Sequence, residues 1–375
     1  MTTIAPNPSA RFPLARWPCY LVEDRGAWNA WVAEAPGNVL QAYEWGELKA
    51  RFGWESVRLA VPGRGRIVAG AQVLFRRLPV GTFAYVPRGP LVDYADAAAL
   101  DSLLAGLHAL ARQRGAFCLK IEPDQPGTPE LAARLERLGF RPAPGVQPRS
   151  TLVVDLSGGP AAVWRRASAR VRYNVRLAAR RGVRVAEGGV EDLPTFYRLL
   201  LQTSRRAGFA VHGPEYYSAL WEELGPRGLA RLLIARHEGE PLAAALVLAL
   251  GEVAYHVYAA SAGEGRHLKP NDLLQWEAIR RAQAEGRAAY DLWGIPDEVG
   301  RAVEVGQEAA EPGTGGLWGA YQFKRGFGGK VVRYAGAYDW VYSPARYWLW
   351  RTFQARAQHL GARARRWVRA EGSGG

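Results

Sequence analysis

The order in which hydrophobic periodicity changes along the chain constrains its fold more than any single motif, because one pattern of helix, strands, helix and strand is run twice. In the first pass Gly26–Phe52 reads as a helical stretch, followed by strand-like runs at Ser56–Val61, Ile67–Arg76 and Thr82–Pro87. A helix (Ala95–Arg114), a strand (Phe117–Glu122), a helix (Pro129–Leu138) and the segment GFRPAP close it. A Pro/Gly-rich linker, RPAPGVQPRS, separates this half from a second start at Thr151. The second pass has a helix at Pro160–Arg181, a strand at Val183–Ala186, helices at Glu191–Ala207 and Pro214–Leu224, and strands at Ala230–Arg236, Leu242–Leu250 and Val253–Ala260. Helix Pro270–Glu285 and strand Ala288–Trp293 finish it, and the acidic, glycine-rich stretch Asp297–Gly316 has no period and reads as a loop.

Neighbouring strands on short turns pair antiparallel, so each half is an α/β (α+β) unit with a mixed, mostly antiparallel sheet flanked by helices. That order is the one found in N-acyltransferase domains of the GNAT type. A chain of 375 residues has room for two such domains, expected at residues 1–149 and 150–332.

Several function classes are set aside by composition. The longest apolar run, Pro241–Leu250, is too short to cross a bilayer, and the first seventeen residues carry no apolar core of a secretion signal. A cytoplasmic protein is expected. Two cysteines far apart, Cys19 and Cys118, offer no disulfide framework, and six histidines without paired spacing offer no metal site. Neither a metal nor a cofactor is expected.

The net charge of +14 favours a polyanionic partner. Its densest source is VWRRASARVRYNVRLAARRGVRV, with eight arginines between Arg165 and Arg184 and no acid. Trp164, Ala167, Val171, Val175 and Ala178 fall on one side of a helix and leave Arg165, Arg166, Arg170, Arg172 and Arg176 for phosphates, with Tyr173 free to stack on a base. RNA is the expected partner of that face. A second basic segment, residues 343–375, interleaves Tyr347, Trp348, Trp350, Phe353 and Trp367 with seven arginines, a composition suited either to packing on the first domain or to a membrane surface.

Lysine is rare: five against forty-four arginines. One of the five, Lys324 in YQFKRGFGG, is a compact charge that desolvation can tune, which an arginine is not. A reaction centre needs such a group.

Taken together, LQAYEWGELKARFGWE, YVPRGPLVDY, LKIEPD, RVRYNVRLAARRGV, YAASAGEGRHLKPNDLLQWEAIRRAQAEG, YDLWGI and YQFKRGFGGKVVRYAGAYDWVY resemble, in order and over nearly the whole chain, the FemABX family of peptidoglycan bridge-forming aminoacyltransferases. The resemblance implies two GNAT-like domains, with residues 333–375 returning to complete the first. It also implies transfer of an amino acid of the Gly, Ala or Ser class from aminoacyl-tRNA to the side-chain amine of stem-peptide residue 3 (Lys or Orn). The acceptor would be UDP-MurNAc-pentapeptide or lipid II, met at the inner face of the membrane. No coiled-coil arm is expected, since sustained heptads are absent.

By the same resemblance Lys324 and Phe323 are the catalytic pair. Tyr258, Tyr216, His212, Lys49, Arg325 and Asn271 are the expected substrate contacts. His212 is a departure, because a studied branch of the family has an arginine there. Two other readings stay open, an acyl-CoA-dependent N-acyltransferase acting on another amine and a nonenzymatic RNA-binding module on a degenerate acyltransferase fold. SAGEGRHLKPN lacks the RxxGxG/A turn that cradles acyl-CoA, which counts against the first.

Overall fold

The computed structural model describes residues 19–63, 65–307, 313 and 316–353. In the first half lie β1 (Tyr20–Leu21), β2 (Trp54–Pro62), β3 (Ile67–Leu78), β4 (Gly81–Val86), β5 (Leu91–Val92), β6 (Ala116–Ile121) and β7 (Arg141–Ala143), with helices α1 (Arg25–Glu34), α2 (Tyr43–Ala50), α3 (Ala97–Gln113) and α4 (Pro129–Arg137). The second half holds β8 (Ser150–Asp155), β9 (Arg184–Gly188), β10 (Ala230–His237), β11 (Glu240–Leu250), β12 (Val253–Ser261), β13 (Ala289–Gly294) and β14 (Lys330–Arg333). Its helices are α5 (Gly159–Arg166), α6 (Ala169–Arg180), α7 (Leu193–Ala207), α8 (Pro214–Leu224), α9 (Pro270–Ala284), α10 (Asp297–Glu304) and α11 (Trp318–Lys324).

Two mixed sheets result. One runs β1-β2-β3-β4-β6-β15-β7 with β5 on β3, where β15 (Ala337–Val341) is the chain's return to the first half; the other runs β14-β8-β13-β12-β11-β10-β9. Among the described residues each sheet has a single parallel step, β4 with β6 and β12 with β13, and antiparallel partners elsewhere. This is the two-sheet, GNAT-like α/β plan expected from the repeated pattern.

Alternation along the strands gives each sheet two apolar faces. One outer face packs Leu59, Val73, Leu100, Leu107 and Phe140, and the other packs Leu152, Val171, Leu233, Ile279 and Tyr290. The facing sides share one continuous core, in which Trp28, Leu40, Trp45 and Phe83 of the first half join Phe196, Tyr217, Leu220 and Leu246 of the second. Arg51 on α2 adds ion pairs to Glu222 (2.5 Å) and Glu223 (3.7 Å) on α8. The halves therefore share one packed apolar core, and a cleft between them has firm walls.

Three elements differ from the sequence expectation. The helix expected over Gly26–Phe52 is interrupted: α1 stops at Glu34 because Pro36 has no N–H to continue it, Asn38 caps a short 3-10 turn, and α2 begins anew at Tyr43. The helix expected over Pro160–Arg181 is two, because Ala167 is extended and Ser168 takes the N–H of Val171 on its hydroxyl as the cap of α6. The loop expected over Asp297–Gly316 opens with α10, held by tertiary contacts. Arg333 pairs with Asp297 at 3.0 Å and with Glu304 at 2.6 Å, and Ser150 donates to Asp297 at 2.7 Å.

The glycines of YQFKRGFGG follow from how closely this segment docks. Gly328 ends the 3-10 turn Arg325–Phe327 at φ 80°, and a Cβ there would overlap the carbonyl oxygen of Arg166 at the end of α5. Gly328→Ala is expected to cost roughly 2–4 kcal/mol, backbone strain plus overpacking, read from urea unfolding midpoints. A loss below about 0.5 kcal/mol would show that the segment does not dock as described.

Candidate active site

A cavity of about 580 Å³ lies between the two halves. Trp45, Lys49, Phe52, Trp54 and Arg76 line it from the first half; His212, Glu215, Tyr216, Tyr258 and Trp293 line it from the second; Val146 and Gln147 of the linker close one side. Its walls are aromatic and its charges are Lys49 and Arg76 against Glu215. Such a lining suits an elongated ligand with flat or sugar-like parts and an anionic centre.

Lys49 anchors a polar chain across the cavity. Its Nζ donates to the Tyr216 hydroxyl at 2.9 Å and lies 4.8 Å from the centre of the Trp45 ring and 4.9 Å from that of Tyr216. Burial, then the charge of Arg76, lowers this ammonium to about 8. Tyr258 lines the same cavity, and burial raises both phenols, Tyr216 to about 12. His212 stacks on Tyr216 with centroids 3.9 Å apart, and burial followed by the Lys49 charge pushes its pKa down. It therefore faces the cavity as a neutral donor or acceptor at pH 7.

A second cavity, about 530 Å³, opens on the other half beside the start of α9. Arg170, Arg266, His267, Lys269, Asn271 and Phe323 are in its lining, where the first two and Lys269 give a positive wall. It lies at the β12–α9 turn, the place in this fold where helix N–H groups can meet phosphate.

Lys324 lines neither cavity, but residues of both adjoin it. Its neighbour Phe323 faces the second; its own Nζ donates to the carbonyls of Gly294 (2.7 Å) and Trp293 (3.3 Å), and Trp293 lines the first. Those carbonyls are aimed by a local device. Asp291, buried, accepts the N–H of Trp293 at 2.6 Å, and this holds Trp293 at φ 62°, a left-handed conformation a tryptophan seldom adopts. Thr151 and Tyr334 also bond to Asp291. Burial lowers the Lys324 ammonium to about 8, against the pull of Asp291. Among the described residues two of its three protons meet carbonyls, which leaves one for a reactant.

The structure thus brings Lys49, His212, Tyr216 and Tyr258 into one cavity and Phe323, Asn271 and Arg170 into the other, while Lys324 lines neither and bonds the carbonyls of Trp293 and Gly294. Arg325 is exposed outside both linings. On the basic face Arg165, Tyr173 and Arg176 point outward, Arg176 resting over Trp164 at 5.4 Å. Arg166 pairs with Asp155 and Arg172 bonds the carbonyls of Arg165 and Ala167 at the break between α5 and α6. Those two guanidiniums serve the fold first. Sequence reading missed Arg76, one of two adjacent arginines on β3 in an arginine-rich chain; its signal is the register that pairs it with Trp54 and Phe83, and it lies 5.3 Å over the Trp54 ring.

Comparison with known proteins gives two family matches, the FemAB family over residues 25–128 and an acetyltransferase (GNAT) domain over residues 165–325. Proteins described as lipid II:glycine glycyltransferase from Staphylococcus saprophyticus and Staphylococcus haemolyticus are each 26% identical, over 86% of this chain and 92% of theirs. Among solved structures, FemX superposes with a TM-score of 0.78 at 24% identity, covering 88% of this chain and 98% of that one. A conserved protein of unknown function from Bacteroides thetaiotaomicron matches with a TM-score of 0.55 at 10% identity, over 84% and 95%.

Proposed function

From the premise that the chain belongs to the FemABX family, we propose that it moves an amino acid from aminoacyl-tRNA to the side-chain amine of residue 3 of a peptidoglycan stem peptide, on a lipid-linked precursor. The observation that carries this reading is that Lys324 is tied to residues of both linings: its Nζ bonds the carbonyl of Trp293, which lines a cavity fit for a pyrophosphate-bearing sugar peptide, and the adjacent Phe323 lines one with a cationic wall fit for the end of an RNA. The relatives named for lipid II favour the lipid-linked acceptor.

In this scheme the precursor occupies the interface cavity, its sugars against Trp45, Trp54 and Trp293 and its pyrophosphate near Lys49 and Arg76. Arg76 takes the role that neutral His212 cannot fill. The terminal nucleotides of the tRNA lie along Arg170, Arg266, Lys269 and Asn271, and Arg165, Tyr173 and Arg176 meet the RNA farther out. The acceptor amine attacks the ester carbonyl, a C–N bond forms, the C–O bond to the ribose breaks, and the proton lost by the amine ends on the ribose oxygen. The protein supplies alignment and the free N–H of Lys324 for the oxyanion. An ester already activated requires no enzyme nucleophile.

Incubation of the purified protein with radiolabelled aminoacyl-tRNA and lipid II tests this directly. Label is expected on the precursor; turnover of acyl-CoA instead, with tRNA label untouched, would overturn it. Lys49→Met and Arg76→Met are each expected to raise KM for the precursor roughly ten- to a hundredfold at nearly constant kcat, the size of a lost charged hydrogen bond. A fall in kcat with KM unchanged would remove them from precursor binding.

A further inference from the structure

After β15 the chain enters a helix described over residues 344–353, and this helix has two unlike sides. Inward, Trp350 packs on Phe83 (4.8 Å) and Phe117 (5.6 Å), and the Tyr347 hydroxyl donates to Asp339 at 2.8 Å. Outward, Trp348 is 65% exposed, Leu349 40% and Phe353 58%. At 100° per residue these three share one face with Thr352, and Arg346 and Arg351 flank it. The helix carries no acid, and the remaining residues 354–375 add five arginines against one glutamate. Three large apolar side chains within six residues, flanked on the described helix by Arg346 and Arg351, are costly to leave in water.

The helix is also linked by packing to a wall of the interface cavity. Phe83, under Trp350, is 6.4 Å from Trp54 of the cavity wall and pairs across β3 and β4 with Arg76. Exposed Arg76 and Arg77 continue the positive border. Aromatic and aliphatic side chains ringed by arginines match the headgroup zone of an anionic bilayer, where rings sit at the acyl boundary and cations meet lipid phosphates.

We propose that the outer face of helix 344–353, with Arg76 and Arg77, is a membrane-docking surface for anionic lipid, which sets the cavity mouth against the bilayer. It rests on the reading above that the acceptor is lipid-linked, and it explains how such a headgroup reaches the site while its hydrocarbon chain stays in the membrane.

Flotation of the full-length protein with vesicles rich in phosphatidylglycerol, against phosphatidylcholine alone, tests it. Wild type is expected to float with the anionic vesicles, and Trp348→Ser/Phe353→Ser to lose about tenfold or more in partitioning. Both positions are exposed, so circular dichroism and transfer to lipid II dispersed in detergent should be unchanged, while transfer to lipid II in vesicles falls about tenfold. Equal flotation of the double variant would overturn the proposal. So would a wild-type dimer, seen by light scattering, that ignores vesicles and is split by the same substitutions. Failure of wild type to act on any precursor would refute the enzymatic reading instead, and flotation would still decide the docking surface.

Discussion

Lys324→Met is expected to lower the single-turnover rate of aminoacyl transfer by about 10²–10³, the usual consequence of removing one oxyanion donor. Binding of precursor and of charged tRNA should change little, because the ammonium lines neither cavity and its remaining N–H meets charge that develops only as the ester carbonyl is attacked. Stability should hold within about 1 kcal/mol: the substitution removes two hydrogen bonds to the carbonyls of Trp293 and Gly294 but relieves a buried cation. Transfer by the Met variant at the wild-type rate would take Lys324 out of the reaction.

The largest stability loss is expected at Arg88. Its side chain is buried where the halves meet: it donates to the Pro148 carbonyl at 2.8 Å, pairs with Asp124 at 3.6 Å, and lies 4.0 Å over the Tyr334 ring and 5.5 Å from that of Trp293. Arg88→Ala leaves a cavity and strands Asp124, whose carboxyl burial already raises to about 6. A cost of about 3–5 kcal/mol in urea unfolding follows, with Arg88→Met losing less because it refills the volume. A change below about 1 kcal/mol would show that this cation is not the strut between the halves.

How far the sequence could be read depended on whether a residue's partner was local. The twin α/β order was legible because sheet and helix periods repeat in the same sequence, and so was the resemblance carried by YQFKRGFGG. The break at Ser168 was hidden because Trp164, Ala167, Val171, Val175 and Ala178 keep helical spacing straight through it; only the cap bond to Val171 reveals two helices. Helix α10 was hidden for the opposite reason. Its propensity is weak, and Ser150 and Arg333, distant in sequence, hold it. Lys49, His212, Tyr216 and Tyr258 could be named one by one, but nothing linear places Arg76 opposite them, because strand register does that. Nor does the motif show that Lys324 reaches its position through carbonyls aimed by Asp291 and the strained Trp293. The basic helix was legible as a charged face, yet not that Arg166 and Arg172 turn back onto carbonyls of their own neighbourhood.

The pH dependence of single-turnover transfer, corrected for spontaneous ester hydrolysis, probes the ammonium itself. With burial holding Lys324 at about 8, it is cationic below that pH and neutral above it. Wild type should therefore lose rate as pH rises through about 8, and the residual transfer of Lys324→Arg, charged throughout the range, should lack that falling limb. A wild-type rate that keeps climbing to pH 10 would contradict a charged Lys324 at the reacting ester.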